Sequence, residues 1–238
     1  MMTQDIVETY LNDGVLMMFA APVDQAFKRD VMDSSLYAQL AAGKQFDRFT
    51  HYREWQTTLL KAMTTFGWLR LDLSDKHGIT DETFVVADRL RELLPDSFAF
   101  LRGKKLDTFL ASLCVTHASK IAQVMVAQDA QVAASPSGSK AGNASCAEPV
   151  SSVVLQVAFV LPSRQKVLLC VAFETLEPVA ANPFAQRLTK SRLVGEVRSF
   201  GFVGTLDDLR YAQFRERVDA ALAGKRAGLS HAIQEVEP

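Results

Sequence analysis

The chain has few of the residues and motifs that mark catalytic, metal-binding or secreted proteins. Its 238 residues include three cysteines, which form no CxxC pair. An odd number of scattered cysteines argues against a disulfide framework and favours a reducing compartment. The phosphate-binding patterns GxxxxGK(S/T) and GxGxxG are absent, and so is the GxSxG pattern of many hydrolases. The sequence therefore predicts no cofactor and no metal site of a known pattern.

A dominant charge of one sign is also missing, because 26 Lys and Arg residues face 27 Asp and Glu residues. This balance gives the whole protein no reason to bind nucleic acid or acidic lipid. The apolar run at residues 15–21 is far shorter than the roughly 20 residues of a spanning helix. Acidic residues and no basic ones precede this run, which argues against an export signal. We therefore expect a cytoplasmic protein.

Apolar residues recur at helical spacing through residues 1–132, which we predict to be a mainly helical region. The first helix would end at Gly14, the second at Gly67, and a third would begin at the capping residue Thr80. Between the last two, the alternation of residues 69–73 predicts a short strand. The helices depend on apolar positions at Ile6, Val7, Tyr10, Leu11, Trp55, Leu59, Met63, Phe66, Val86, Leu90, Leu93, Leu94, Leu106, Phe109, Leu110 and Leu113.

Composition changes at residues 133–149, which are rich in Ser, Gly and Ala and predict a flexible loop. Just before this loop, residues 120–130 fit a helix or a strand, and we favour the strand. Residues 150–238 are predicted to form an antiparallel sheet plus C-terminal helices, and they could share one continuous core with residues 1–132. The predicted fold class is α+β: a helical N-terminal half followed by a mainly antiparallel β-sheet closed by a C-terminal helix.

The most apolar stretch, residues 150–178, predicts a β-hairpin with its turn at residues 162–165. A third strand over residues 193–203 and a helix capped by Thr205 would follow, and then a short final helix. Side chains alternate between the two faces of a strand, so one face of the hairpin would be wholly apolar and must be covered. The residues of this face are Val153, Leu155, Val157, Phe159, Leu161, Val167, Leu169, Val171 and Phe173.

The opposite face of the hairpin separates two interpretations of it. A hairpin that enters a membrane needs one lipid-facing side and one fully wet side. Here the second face is half apolar, and its two charges, Lys166 and Glu174, lie at the ends of an arm. This pattern favours a strand pair in the middle of a sheet, with helices on one side and a partner or loop on the other, so Phe159 should be buried.

Three polar residues near one another are the candidates for catalysis. Asp72, Asp75 and His77 supply two carboxylates and an imidazole, which could serve acid–base or metal chemistry. Connections between a strand and a helix are rich in Asp and Ser in any case, and no helical ligand spacing such as HExxH is present. The sequence therefore favours a simple connection here.

Taken together, these patterns favour a non-enzymatic interaction or assembly protein. Its partner would be another protein or a second copy of the chain, bound by an apolar sheet or by the N-terminal apolar segment. The first alternative is a membrane-active, pore-forming protein that inserts the 150–178 hairpin, and the second is a small hydrolase or metal enzyme built on Asp72, Asp75 and His77. The residues that we expect to make the protein contact are Val157, Phe159, Leu169 and Val171.

Overall fold

The structure, a computed structural model, describes residues 6–102, 106–107, 110–111, 124–129 and 149–233. The predicted loop at residues 133–149 lies outside this part of the chain except for Pro149. The helices are α1 Gln25–Gly43, α2 Tyr52–Thr65, α3 Val86–Leu93, α4 Asp208–Leu222 and α5 Arg226–Leu229, with 3-10 turns at Asp96–Leu101 and Lys190–Arg192. The strands are β1 Ile6–Asn12, β2 Val15–Ala20, β3 Trp68–His77, β4 Thr83–Val85, β5 Val126–Asp129, β6 Val150–Val160, β7 Gln165–Thr175, β8 Arg187–Thr189, β9 Leu193–Leu206 and β10 Ser230–Ile233.

A mixed eight-stranded sheet organises the protein, and β4 and β8 form a separate pair. Seven strands of the large sheet follow one another in the order β10-β1-β2-β6-β7-β9-β3, while β5 also pairs with β6. All pairings are antiparallel except that of β2 with β6, in which Val15 lies opposite Gln156. The predicted fold class is therefore wrong: the large sheet is mixed, and it recruits strands from both halves of the chain.

The first prediction to fail is the N-terminal helix. Residues of β1 and β2 form a hairpin in which Leu11 lies opposite Leu16, and Asp13 occupies the turn with a φ of 53°. Gly14 thus belongs to a β-turn and ends no helix. The spacing of the apolar residues in β1 suited a helix as well as a strand. The continuous apolar sequence of β2 is typical of a parallel strand that is buried on both faces.

The apolar face of the β6–β7 hairpin is confirmed as part of the core. Phe159 is 2% exposed and its neighbours on this face are equally buried. Side chains of α3, of the 3-10 turn after it and of the β4–β8 pair cover this face. The ring centroids of Phe84 and Phe173 lie 5.7 Å apart in an edge-to-face arrangement. Burial of this many large side chains is the main stabilising contribution of the hairpin.

The second face of the sheet is covered as completely as the first. Helices α1, α2 and α4 pack on it through Trp55, Leu59 and Tyr211, among others. Gln156 is fully buried here, and helices cover the face on which a partner or loop was expected. Helices α1 and α4 are further joined by a bidentate ion pair, in which Arg215 donates to Asp30 at 3.0 and 2.6 Å.

Most of the other predicted elements occur, with shifted ends. Helix α2 ends before Gly67, whose φ of 93° favours glycine. Helix α3 buries its predicted apolar stripe but begins at Val86, because residues 83–85 pair with β8. Helix α4 is capped by Asp207, which accepts a hydrogen bond from the Arg210 amide, and not by Thr205.

Three further predictions concern short segments between residues 106 and 129 and at the C-terminal end of the described chain. Residues 126–129 form β5, as favoured for that segment, while 124–125 are helical. Residues 106–107 and 110–111 are helical, in line with the helix expected there. The predicted final helix is instead the short α5 followed by β10, which pairs with β1.

Candidate functional site

The outermost described strand of the large sheet, β3, carries all three predicted catalytic residues. It pairs with β9 on one side, and no described strand pairs with its other edge. The pairing places Asp72 opposite Val203, Asp75 opposite Phe200 and His77 opposite Arg198. A strand edge without a partner leaves a row of backbone N–H and C=O groups free to pair with another chain.

The structure brings together only two of these three residues. Asp75 and His77 lie on the same face of β3, and His77 Nε2 is 3.4 Å from Asp75 Oδ1. His77 Nδ1 is also 3.9 Å from Glu196 Oε2, and these side chains are about half exposed. Asp72 lies on the opposite face and accepts a hydrogen bond of 2.8 Å from the Leu73 amide. Within the described part of the chain, no three His, Cys, Asp or Glu side chains are grouped to hold a metal ion.

Exposed leucines distinguish β3 from every other strand that the structure describes. Leu69, Leu71 and Leu73 are 43%, 54% and 38% exposed. Only one other large apolar side chain in the described residues is exposed, that of Leu209 on α4. A β-bulge between Arg70 and Asp72 interrupts the register with β9 and turns the strand at Leu71. Apolar side chains beside an unpaired edge are typical of a surface that binds a strand.

The four residues predicted to contact a partner lie elsewhere. Val157, Phe159, Leu169 and Val171 are on β6 and β7, with exposed fractions of 2% or less. A partner could reach them only if the layer of α3 and the β4–β8 pair moved away from the sheet. Sequence reasoning did not single out the exposed leucines of β3, although the alternation of leucines with charged residues was visible in residues 69–73.

A buried polar cluster on the second face of the sheet is the other candidate site. The Lys166 ammonium or amine donates to Ser35 Oγ at 2.8 Å and lies 3.7 Å from the centroid of the Trp68 ring. Trp68 Nε1 in turn donates to Ser34 Oγ at 3.1 Å. Strand β7 therefore supplies the lysine, and two successive serines of α1 supply its surroundings.

Two amide side chains complete this cluster. Gln39 donates to the Asn12 carbonyl at 3.0 Å and accepts from the Gly14 amide at 3.3 Å, which fixes α1 to the β1–β2 turn. Gln156 donates to the Gly14 carbonyl at 3.5 Å, and its Oε1 has no hydrogen-bond partner among the described residues. Such a buried oxygen without a partner is destabilising by about 1–3 kcal/mol unless water reaches it.

Burial controls the chemistry of the lysine. Lys166 is 1% exposed, no carboxylate in the described part of the chain pairs with it, and burial lowers its pKa to about 7. A serine hydroxyl beside a lysine of lowered pKa is the arrangement that Ser–Lys hydrolases use. Here, however, Ser35, Lys166 and Gln156 border a cavity of only about 10 Å³. That volume is at the lower limit for one water molecule, so the cluster is closed to any larger substrate.

The one cysteine in the described residues is also unsuited to act as a nucleophile. Cys170 is buried on β7 and accepts a hydrogen bond of 3.3 Å from the Tyr52 hydroxyl. Burial raises the pKa of the thiol to about 12 and raises the pKa of Tyr52 well above its ordinary value. A thiol that stays protonated is a weak nucleophile, so Cys170 acts as a core residue.

Comparison with known proteins adds little to this geometry. No protein-family model and no curated protein matches the chain. Among solved structures, that of the Evf virulence factor is similar, with 12% identity over 92% of this chain and 82% of that chain and a TM-score of 0.43. A delta-endotoxin structure has 12% identity over 87% of this chain and 89% of that chain, with a TM-score of 0.42. Both TM-scores are below 0.5, so neither likeness bears on function.

No helix in the described ranges combines the length and the apolar character needed to cross a membrane.

Proposed function

We propose that this chain is a protein-interaction module that binds an extended segment of another polypeptide along the open edge of β3. The observation that carries the proposal is that one strand combines exposed leucines with an edge that no other described strand pairs with. Backbone hydrogen bonds would supply affinity, and contacts with Leu69, Leu71 and Leu73 would supply selectivity. The cytoplasmic location expected from the cysteine content belongs to this proposal and stays a prediction.

The proposal is supported by the pairing of β3 with β9, which fixes the inner edge of the strand. Nine residues of β3 are registered against β9 from Trp68–Leu206 to His77–Arg198. Trp68 is fully buried and donates from Nε1 to Ser34 of α1 at 3.1 Å. Just after His77, the Gly78 amide donates to the Val197 carbonyl at 2.8 Å. An edge that is ordered before binding loses less conformational entropy when a partner strand pairs with it.

A peptide-selection experiment tests this proposal. A library of random 12-residue peptides would be displayed on phage and selected on the immobilised protein, and the selected peptides would be synthesised. We expect them to protect the amides of β3 from hydrogen exchange, and we expect Leu71→Lys to weaken their affinity by about tenfold, which is about 1.4 kcal/mol.

The matched control is Leu209→Lys, which makes the same change at the exposed leucine of α4. Its effect on peptide affinity should be negligible. Selected peptides that leave β3 exchange unchanged, or that bind the Leu71→Lys protein as tightly as the natural one, would refute β3 as the binding strand.

A further inference from the structure

The charges along β3 are arranged so that the strand complements itself. Asp72, Ser74 and Lys76 lie on one face of the strand, because alternate residues share a face and the bulge precedes Asp72. Leu73, Asp75 and His77 lie on the other face. When two copies of one strand pair antiparallel about a two-fold axis, one residue of β3 must lie opposite its own copy, and that residue fixes all other pairs.

Electrostatics separates the registers that this symmetry permits. An axis at Asp72 or at Asp75 would place two carboxylates directly opposite each other, which is destabilising. An axis at Leu73 would place Leu73 opposite its own copy and Asp72 opposite Ser74, so that no ion pair forms. An axis at Ser74 places Asp72 of each copy opposite Lys76 of the other, so that two ion pairs form.

We infer that the partner of β3 is a second copy of this chain, paired antiparallel with Ser74 opposite Ser74 and with Asp72 opposite Lys76 in both directions. The two sheets would join into one continuous sheet across a two-fold axis. This inference rests on the proposed function, because it names a polypeptide for residues 72–76 of the same edge.

The surroundings of the paired segment fit this register. The bulge at Leu71 lies just outside the segment 72–76, so the pairing ends where the strand turns away. Leu73 lies opposite Asp75 of the other copy and reaches the second Leu73 diagonally across the axis. Lys76, which is 3.2 Å from Glu92 in its own chain, would receive a second carboxylate from Asp72 of the other copy.

Charge reversal in two separate variants provides a direct test by sedimentation equilibrium of the purified protein. The natural chain should form dimers at micromolar concentrations. Asp72→Lys alone places Lys opposite Lys twice, and Lys76→Asp alone places Asp opposite Asp twice. We expect each reversal to weaken self-association by about tenfold or more.

Mixing the two variants should restore the dimer. In the heterodimer, both lysines of the Asp72→Lys chain lie opposite both aspartates of the Lys76→Asp chain, so two attractive pairs form again. Glu216→Lys, an equal change of charge on the exposed surface of α4, should leave the dimer unchanged. Equal melting temperatures of all variants as monomers would show that folding is intact.

Each remaining result contradicts the inference. A natural chain that stays monomeric up to about 100 μM, far above the Kd of specific interfaces, overturns self-pairing. A dimer that is insensitive to both reversals, or a mixture that does not recover, overturns the register. Either result leaves the peptide experiment above unaffected, so failure of the self-pairing and failure of the proposed function are distinguishable.

Discussion

Strands β7 and β3 flank the same strand, β9, but have opposite surroundings. Phe202 of β9 lies between Leu168 on β7 and Leu73 on β3. Leu168 is 4% exposed because helices cover it, while Leu73 is 38% exposed at the edge of the sheet. The two leucines have the same neighbour on β9, so the difference in their exposure comes from their position in the sheet. A leucine on a central strand stabilises the fold, and a leucine on an edge strand is accessible from solvent.

The largest effect should come from the centre of the sheet. Phe159→Ala removes a ring that is 2% exposed and leaves a cavity between the sheet and α3. We expect a loss of about 3–5 kcal/mol in the free energy of unfolding, measured by urea titration. Since a domain has a total of about 5–15 kcal/mol, the variant should also be poorly soluble. A loss below about 1 kcal/mol would contradict the placement of the hairpin in the core.

The second effect concerns the buried lysine of the same central strand pair. The pKa of Lys166 is lowered to about 7 in the folded protein, while an unfolded lysine titrates near 10.5. Between these values the unfolded chain binds the proton more tightly, so the stability of the natural protein should rise with pH across this window. Below pH 7 both states are protonated, and the dependence ends.

Lys166→Met should remove that dependence while it keeps most of the side-chain volume. We expect the natural protein to gain up to about 1.4 kcal/mol per pH unit relative to this variant between pH 7 and 10, measured by urea titration at several pH values. Lys61→Met, at an exposed position of α2, is the control and should leave the slope unchanged. Equal slopes in the natural protein and the Lys166→Met variant would show that the amine is solvated.

Phe159 and Lys166 also show which features could be predicted from the sequence and which could not. Phe159 was predicted to be buried because alternation placed it on a wholly apolar face, and local pattern was sufficient for that. Lys166 was noted only as one of two charges at the ends of an arm on the second face, and its burial was not predicted. Its burial follows from the packing of α1, which no local pattern reveals.

Helix α1 was not predicted either, because its contacts are with residues far away in the sequence. Its buried face mixes apolar residues with Asp30, Asp33, Ser34, Ser35 and Gln39, so the apolar period of an amphipathic helix is interrupted. These side chains are satisfied by contacts that lie far away in sequence, such as the bidentate pair between Asp33 and Arg226 at 2.8 and 2.9 Å. The parallel pairing of β2 with β6 is equally non-local, and it is what makes the sheet mixed.

The comparison between β7 and β3 can be tested with one matched pair of substitutions. Leu168→Ala should destabilise the protein by about 2–5 kcal/mol, because the helix-covered site cannot collapse fully around the missing atoms. Leu73→Ala, at the same level of β9, should change the free energy of unfolding of the monomer by less than about 1 kcal/mol. Urea titration at a concentration that keeps the protein monomeric measures both. Similar losses for the two variants would contradict the exposure of the edge strand.

The smallest effect should come from the predicted catalytic histidine. The His77 side chain is 52% exposed, and its contacts with Asp75 and Glu196 at 3.4 and 3.9 Å are those of a solvated surface pair. Exposed ion pairs contribute little, so His77→Ala should shift the free energy of unfolding by less than about 0.5 kcal/mol.

The same variant tests the metal-enzyme alternative, because a zinc site at β3 would lose its imidazole ligand. Atomic absorption of the natural protein and the variant, both purified without chelator, makes the comparison. Stoichiometric zinc that disappears with His77 would show that β3 carries a metal centre and would replace the strand-binding role proposed for this edge.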